Sequence, residues 1–148
     1  MAENALVSSV AVDGSGRIVV GGTVGRRIAL VRYLDSGRLD RSFGTRGRVL
    51  VSLGAGHSSM AESLVLPSGK ILVAGTFTPE SDPGHIELLR LLEDGRLDRM
   101  FGTEGRTTVS VDPPAAAHGL TRQPDHKILV LGAANGPSPR VFQLIVAR

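Results

Sequence analysis

Apolar and polar positions alternate along this chain in short runs separated by turn residues. No stretch keeps the i, i+3, i+4 spacing of a helix over three turns. Leu6 to Val12 mixes apolar and small residues, Asp13 to Gly16 is a turn, and Arg17 to Gly22 is compact and β-branched, so the two runs read as a hairpin. A second turn, Thr23 to Arg27, leads into Ile28–Leu34. There Ile28, Leu30, Arg32 and Leu34 face one way and Ala29, Val31 and Tyr33 the other. Both faces are largely apolar, which predicts cover on both sides. After a polar connection, Arg48–Leu53 makes a fourth strand. The order recurs as Met60–Leu66, a turn at 67–69, Lys70–Phe77, a longer loop, Ile86–Leu92, a connection and Thr107–Val111. It recurs again as Ala117–Arg122, Lys127–Ala133 and Val141–Ala147, so eleven strands are predicted, in groups of four, four and three.

The polar connections show that this is repetition rather than similar composition. Residues 37–48 read Gly-Arg-Leu-Asp-Arg-Ser-Phe-Gly-Thr-Arg-Gly-Arg, and residues 95–106 match them at ten of twelve places with an offset of 58. A second phrase recurs in the same order, beginning at Ser15, Ser68 and Asp125 and ending at Gly22, Gly75 and Gly132. Repeats at a fixed period govern how everything else is read. The chain therefore reads as a single repeat domain, 1–148, with repeats at about 5–54, 55–112 and 113–148, the last incomplete. The offset grows from 53 at Gly16/Gly69 to 58 at Gly37/Gly95. The added residues fall in the loop Thr78–Gly84, which is expected to be a solvated hairpin tip.

Four short strands per unit of 40–60 residues predict an all-β fold of β-propeller-type blades, each of four antiparallel strands, with about three blades per chain. A sandwich or barrel has no need of one turn phrase at a fixed period. The run Gly69 to Gly75, then Leu88-Leu89-Arg90, then Asp94 to Gly102 resembles the delta-60 repeat, a bacterial β-propeller domain of unknown function. The resemblance covers nearly the whole chain. It implies the fold, and no assigned activity comes with it.

Composition narrows the remaining chemistry. An apolar share of 41% with 21% charged residues fits a globular domain. No run of about 18 apolar residues predicts a membrane span. The start has an acid and no base before a short apolar patch, so it is no signal peptide; the expectation is a cytoplasmic protein if the chain is complete and an exported one if it is a fragment. No cysteine is present, which excludes disulfides, thiolate metal sites and cysteine catalysis. With 3% aromatic residues and no Trp, stacking platforms for sugars or single-stranded nucleic acid have little to build on.

The repeated phrase is expected to be structural at its core. Leu39, Leu97, Phe43 and Phe101 would plug between blades, and Gly44, Gly47, Gly102 and Gly105 suit positive φ. Asp40 and Asp98 would accept turn amides; one or two acids per unit fall short of the six oxygens calcium requires. Arg32 and Arg90 precede those aspartates by the same eight residues, which predicts pairing. His57, His85, His118 and His126 fall at unrelated points of the repeat, with no zinc spacing. Neither Ser8-Ser9 nor Ser58-Ser59 lies on a strand–turn–helix elbow. Net charge is +3, and Arg38, Arg41, Arg48, Arg96, Arg99 and Arg106 crowd the connections, a candidate anion-binding face for an acidic protein or polyanion. The expected function is a non-enzymatic propeller module for protein–protein or surface interaction, without cofactor. A hydrolase or lyase with a central-channel site and a nucleic-acid binder are the alternatives. Three blades are too few to close a ring of the usual 4–8, so a homodimer of six blades is expected.

Overall fold

The computed structural model describes residues 4–81, 83–109, 114–134 and 141–147. Ser110 and Val111, the end of the expected eighth strand, and Asp82, in the insertion loop, lie outside the described residues. Among the described residues, eleven strands form three antiparallel sheets. Blade 1 orders β1 (Ala5–Val12), β2 (Ile18–Val24), β3 (Arg27–Tyr33) and β4 (Arg48–Val51). Blade 2 repeats this with β5 (Gly56–Val65), β6 (Ile71–Pro79), β7 (His85–Leu91) and β8 (Arg106–Val109). Blade 3 has β9 (Ala115–Arg122), β10 (Ile128–Ala134) and β11 (Val141–Ala147). No helix long and apolar enough to cross a membrane is present among the described residues.

The repeat extends to irregularities. Each blade's first strand carries a bulge at the same place, setting aside Ser8, Ala61 and His118 in turn. The first hairpin turns at Gly16 (φ 77°) and Gly69 (φ 78°), and at His126 (φ 70°) in blade 3. That last turn forces a β-carbon into the left-handed region.

Alternation along the strands makes two buried layers. Val19, Ile28, Leu30 and Val51 of blade 1 meet Met60, Ile71, Val73, Leu89 and Leu91 of blade 2. Leu72, Ala74, Ile86 and Leu88 on the other face of blade 2 meet Ala115, Ala117, Leu120, Ile128 and Val130 of blade 3. β7 is thus apolar on both faces because it is covered on both. β3 is not: Ile28, Leu30 and Arg32 are buried, while Ala29, Val31 and Tyr33 stay partly open because no blade precedes blade 1 among the described residues. The cover on both sides expected of β3 from its sequence is therefore not found there. Across the stack β1, β5 and β9 lie side by side, so the first strand of each sheet is the inner one and β4 and β8 form the outer edge. The fold is all-β and propeller-type.

Candidate functional site

Each signature connection is a compact ring of hydrogen bonds. After β3 the chain returns so that Asp40 N donates to Arg32 O at 2.9 Å, Phe43 N to Asp40 O, and Gly47 N to Phe43 O. Arg32 N then closes the loop onto Gly47 O. Blade 2 repeats every bond with Arg90, Asp98, Phe101 and Gly105. The geometry needs left-handed residues at fixed places: Gly44 and Gly102 at φ 53° and 54°, Gly47 and Gly105 at 90° and 92°. Arg46 and Glu104 adopt φ 54° and 53° despite their side chains.

Inside each ring sits an arginine–aspartate–phenylalanine stack. Arg32 Nε donates to Asp40 Oδ2 at 2.8 Å, and its guanidinium lies 4.5 Å above the Phe43 ring. Arg90 Nε donates to Asp98 Oδ2 at 2.8 Å, with its guanidinium 4.6 Å above Phe101. The remaining carboxylate capacity is also filled. Ser42 donates its hydroxyl (2.6 Å) and amide (3.0 Å) to Asp40 Oδ1. Lys70 Nζ reaches Asp98 Oδ2 at 2.8 Å and Met100 N reaches Oδ1. Donors clustered on the ionised form hold both carboxyls below their ordinary range, chiefly the Ser42 hydroxyl at Asp40 and the Lys70 ammonium at Asp98. Leu39 and Leu97 are half-buried. Phe43 is fully buried but Phe101 only half.

The arginines of the two copies fare differently. Arg96 pairs with Asp94 at 2.7 Å and Arg99 with Glu104 at 3.1 Å, while Arg106 donates to the Leu53 carbonyl. Their counterparts Arg38, Arg41 and Arg48 have no side-chain partner among the described residues, nor has Arg46. The cause is legible in the repeat: Ser36 stands where blade 2 has Asp94, and Arg46 where it has Glu104. Sequence reasoning passed over Arg46, and one of the two mismatches in the dodecamer was the signal for it. Of these arginines, Arg48 lines a groove of about 650 Å³, walled by Thr45, Arg48, Val49 and Leu50 on one side and Asp94 to Arg96 on the other.

The other titratable groups do not converge. His57, His118 and His126 are exposed. His85 packs edge-on to Phe77 and lies 3.2 Å from Glu87, whose Oε1 also accepts from Thr108 and whose buried Oε2 has no partner among the described residues. No group of three His, Cys, Asp or Glu side chains is assembled among the described residues.

Fold and connections define a β-propeller-type repeat domain. In agreement, the family model of a β-propeller domain of unknown function, DUF5122, matches residues 14–43 and 66–101, two stretches that each begin near the first hairpin turn and end near the signature phenylalanine. No curated protein matches the chain. Among solved structures, a protein of unknown function from Bacteroides caccae is similar at 15% identity with a TM-score of 0.55. The likeness covers 98% of this chain and 46% of that one, and at such identity it speaks for the fold alone.

Proposed function

We propose that this chain is a non-enzymatic β-propeller-type interaction module whose first signature connection engages an acidic segment of a partner protein. The observation that carries this reading is the asymmetry between two copies of one phrase. Blade 2 supplies counter-ions for Arg96 and Arg99; blade 1 leaves Arg38, Arg41, Arg46 and Arg48 without them. Unneutralised cations on one connection, with Arg48 lining the groove, attract carboxylates and speed their encounter. Val49 and Leu50 add an apolar wall, which suits a peptide better than a stacked nucleic-acid strand. The repeated acids support a non-catalytic role, because all four oxygens of Asp40 and Asp98 are bonded within the fold. The finer resemblance to the delta-60 repeat fits the same reading of a scaffold that presents loops.

The test is titration with a fluorescent poly-glutamate peptide at several salt concentrations. Binding should weaken with salt, as exposed charge attraction does. Ser36→Asp combined with Arg46→Glu converts blade 1 to the blade 2 pattern and should lower affinity by about tenfold or more, each tenfold being 1.4 kcal/mol. Salt-independent binding, or an unchanged affinity in the variant, refutes the reading.

A further inference from the structure

The two ends of the stack are complementary, residue by residue. Each internal junction uses the same contacts. Thr23 Oγ1 accepts from Met60 N across the first junction, and Thr76 Oγ1 accepts from Ala117 N across the second, both at 2.9 Å. Ser9 Oγ accepts from Ser63 N at 2.9 Å, and Glu62 Oε2 from Leu120 N at 2.7 Å. Ile28 presses over Gly75, and Ile86 over Gly132, so closely that an added β-carbon would meet the isoleucine Cδ1 at 3.1 and 2.8 Å. One blade therefore always offers a covering face and the next a receiving face.

The ends keep this polarity. The receiving positions Met60, Ser63 and Gly75 correspond in blade 1 to Val7, Val10 and Gly22. Val7 and Val10 stand 75% and 67% exposed. The covering positions Val19, Gly21 and Thr23 correspond in blade 3 to Leu129, Leu131 and Ala133, and Leu131 is 40% exposed. Where the internal junctions are polar, the open ends have turned apolar. Ser9 and Glu62 become Gly119, their partners become Val10, and the threonines become Ala133.

We propose that a second copy of this chain occupies both ends: the covering face of each copy's blade 3 seats on the receiving face of the other's blade 1, closing a ring of six blades. Continuity favours this occupant, since the junction needed is the one the chain already makes twice. Exposed apolar surface on both faces favours association. Without the Thr23 and Thr76 type of acceptor, the closing junction rests on apolar burial and should open on dilution.

Light scattering after size exclusion at high micromolar concentration tests this. The expected mass is twice the 15.5 kDa of one chain. Val10→Glu and Leu131→Lys alter exposed positions, so each copy still folds, which circular dichroism checks. Each should weaken association at least about tenfold, since an unpaired charge carried into an apolar contact is costly. Mixed together they should associate again, because one junction is then unmodified and the other pairs Glu with Lys. Ala133→Thr restores the missing acceptor for Val7 N and should tighten the dimer several-fold. A mass that stays near 15.5 kDa overturns the proposal. So does sensitivity to Val10→Glu alone, which would mean blade 1 pairing with blade 1, and so does open-ended growth with concentration.

Discussion

Phe43 and Phe101 occupy one position of the repeat, and their truncation separates what the signature does for itself from what the neighbouring blade does for it. Each ring lies under a guanidinium at nearly the same height, 4.5 and 4.6 Å. Each sits in the same hydrogen-bonded loop. They differ in cover. The turn after β7 lies over Phe43: Gly44 N donates to Asp94 O at 2.7 Å, and a β-carbon on Gly95 would stand 3.0 Å from the Phe43 ring. Blade 3 presents no corresponding turn among the described residues, so Phe101 is only half-buried.

The magnitudes follow. Phe43→Ala empties a fully enclosed site and should cost about 3–5 kcal/mol. Phe101→Ala removes roughly half as much surface from contact and leaves little cavity, so about 1.5–2.5 kcal/mol is expected. The cation–ring attraction, about 0.5–2 kcal/mol, is lost in both and nearly cancels in the comparison. Urea unfolding followed by circular dichroism reads the difference. With a slope of roughly 1–3 kcal/mol per molar, the two midpoints should separate by about 1 M. Equal midpoints, or a lower one for Phe101→Ala, would refute the account in which the following blade's turn seals the phenylalanine.

Three further outcomes are expected. Gly37 and Gly95 are equivalent, with φ 78° and 90°, but an added β-carbon meets nothing at Gly37 and meets Val49, Phe43 and Gly44 at Gly95; Gly95→Ala should therefore cost about 1–3 kcal/mol more than Gly37→Ala in thermal unfolding. His126→Gly should stabilise by about 0.5–1 kcal/mol, because it relieves a left-handed β-carbon at a turn whose two counterparts are glycine, less the added freedom of the unfolded chain. Asp40 and Asp98 titrate below their ordinary value when folded, so their contribution is complete above the unfolded value near 3.8 and is lost as pH falls through the lower folded value. A pH series of unfolding midpoints should drop below about pH 4, and Asp40→Asn should flatten that acid limb; an identical acid limb in the variant contradicts the assignment.

Much of this architecture was legible in the chain because local and long-range requirements coincide in a repeat. A turn that needs left-handed residues shows as glycine at 47 and again at 105. An arginine paired inside the connection shows as a cation at 32 and 90, each followed eight residues later by its acid. Blade phase was not legible. Four strands in cyclic order can begin a sheet at any of four points, and alternation within a strand does not say which strand faces the axis. Only the adjacency of β1, β5 and β9 settles it. The unequal pairing of the two sets of arginines was not legible for a related reason. Identical arginines in two copies suggest identical charge, yet electrostatics depends on the neighbours, and the decisive positions, 36 and 46, are ones that do not repeat. The same holds at the ends of the stack, where Gly119 and Ala133 depart from the acceptors that staple the internal junctions. In a repeat protein the shared residues build the scaffold, because every blade must satisfy the same geometry. Chemistry particular to one blade has to reside in the departures, since a residue present in every copy cannot distinguish one surface from the next.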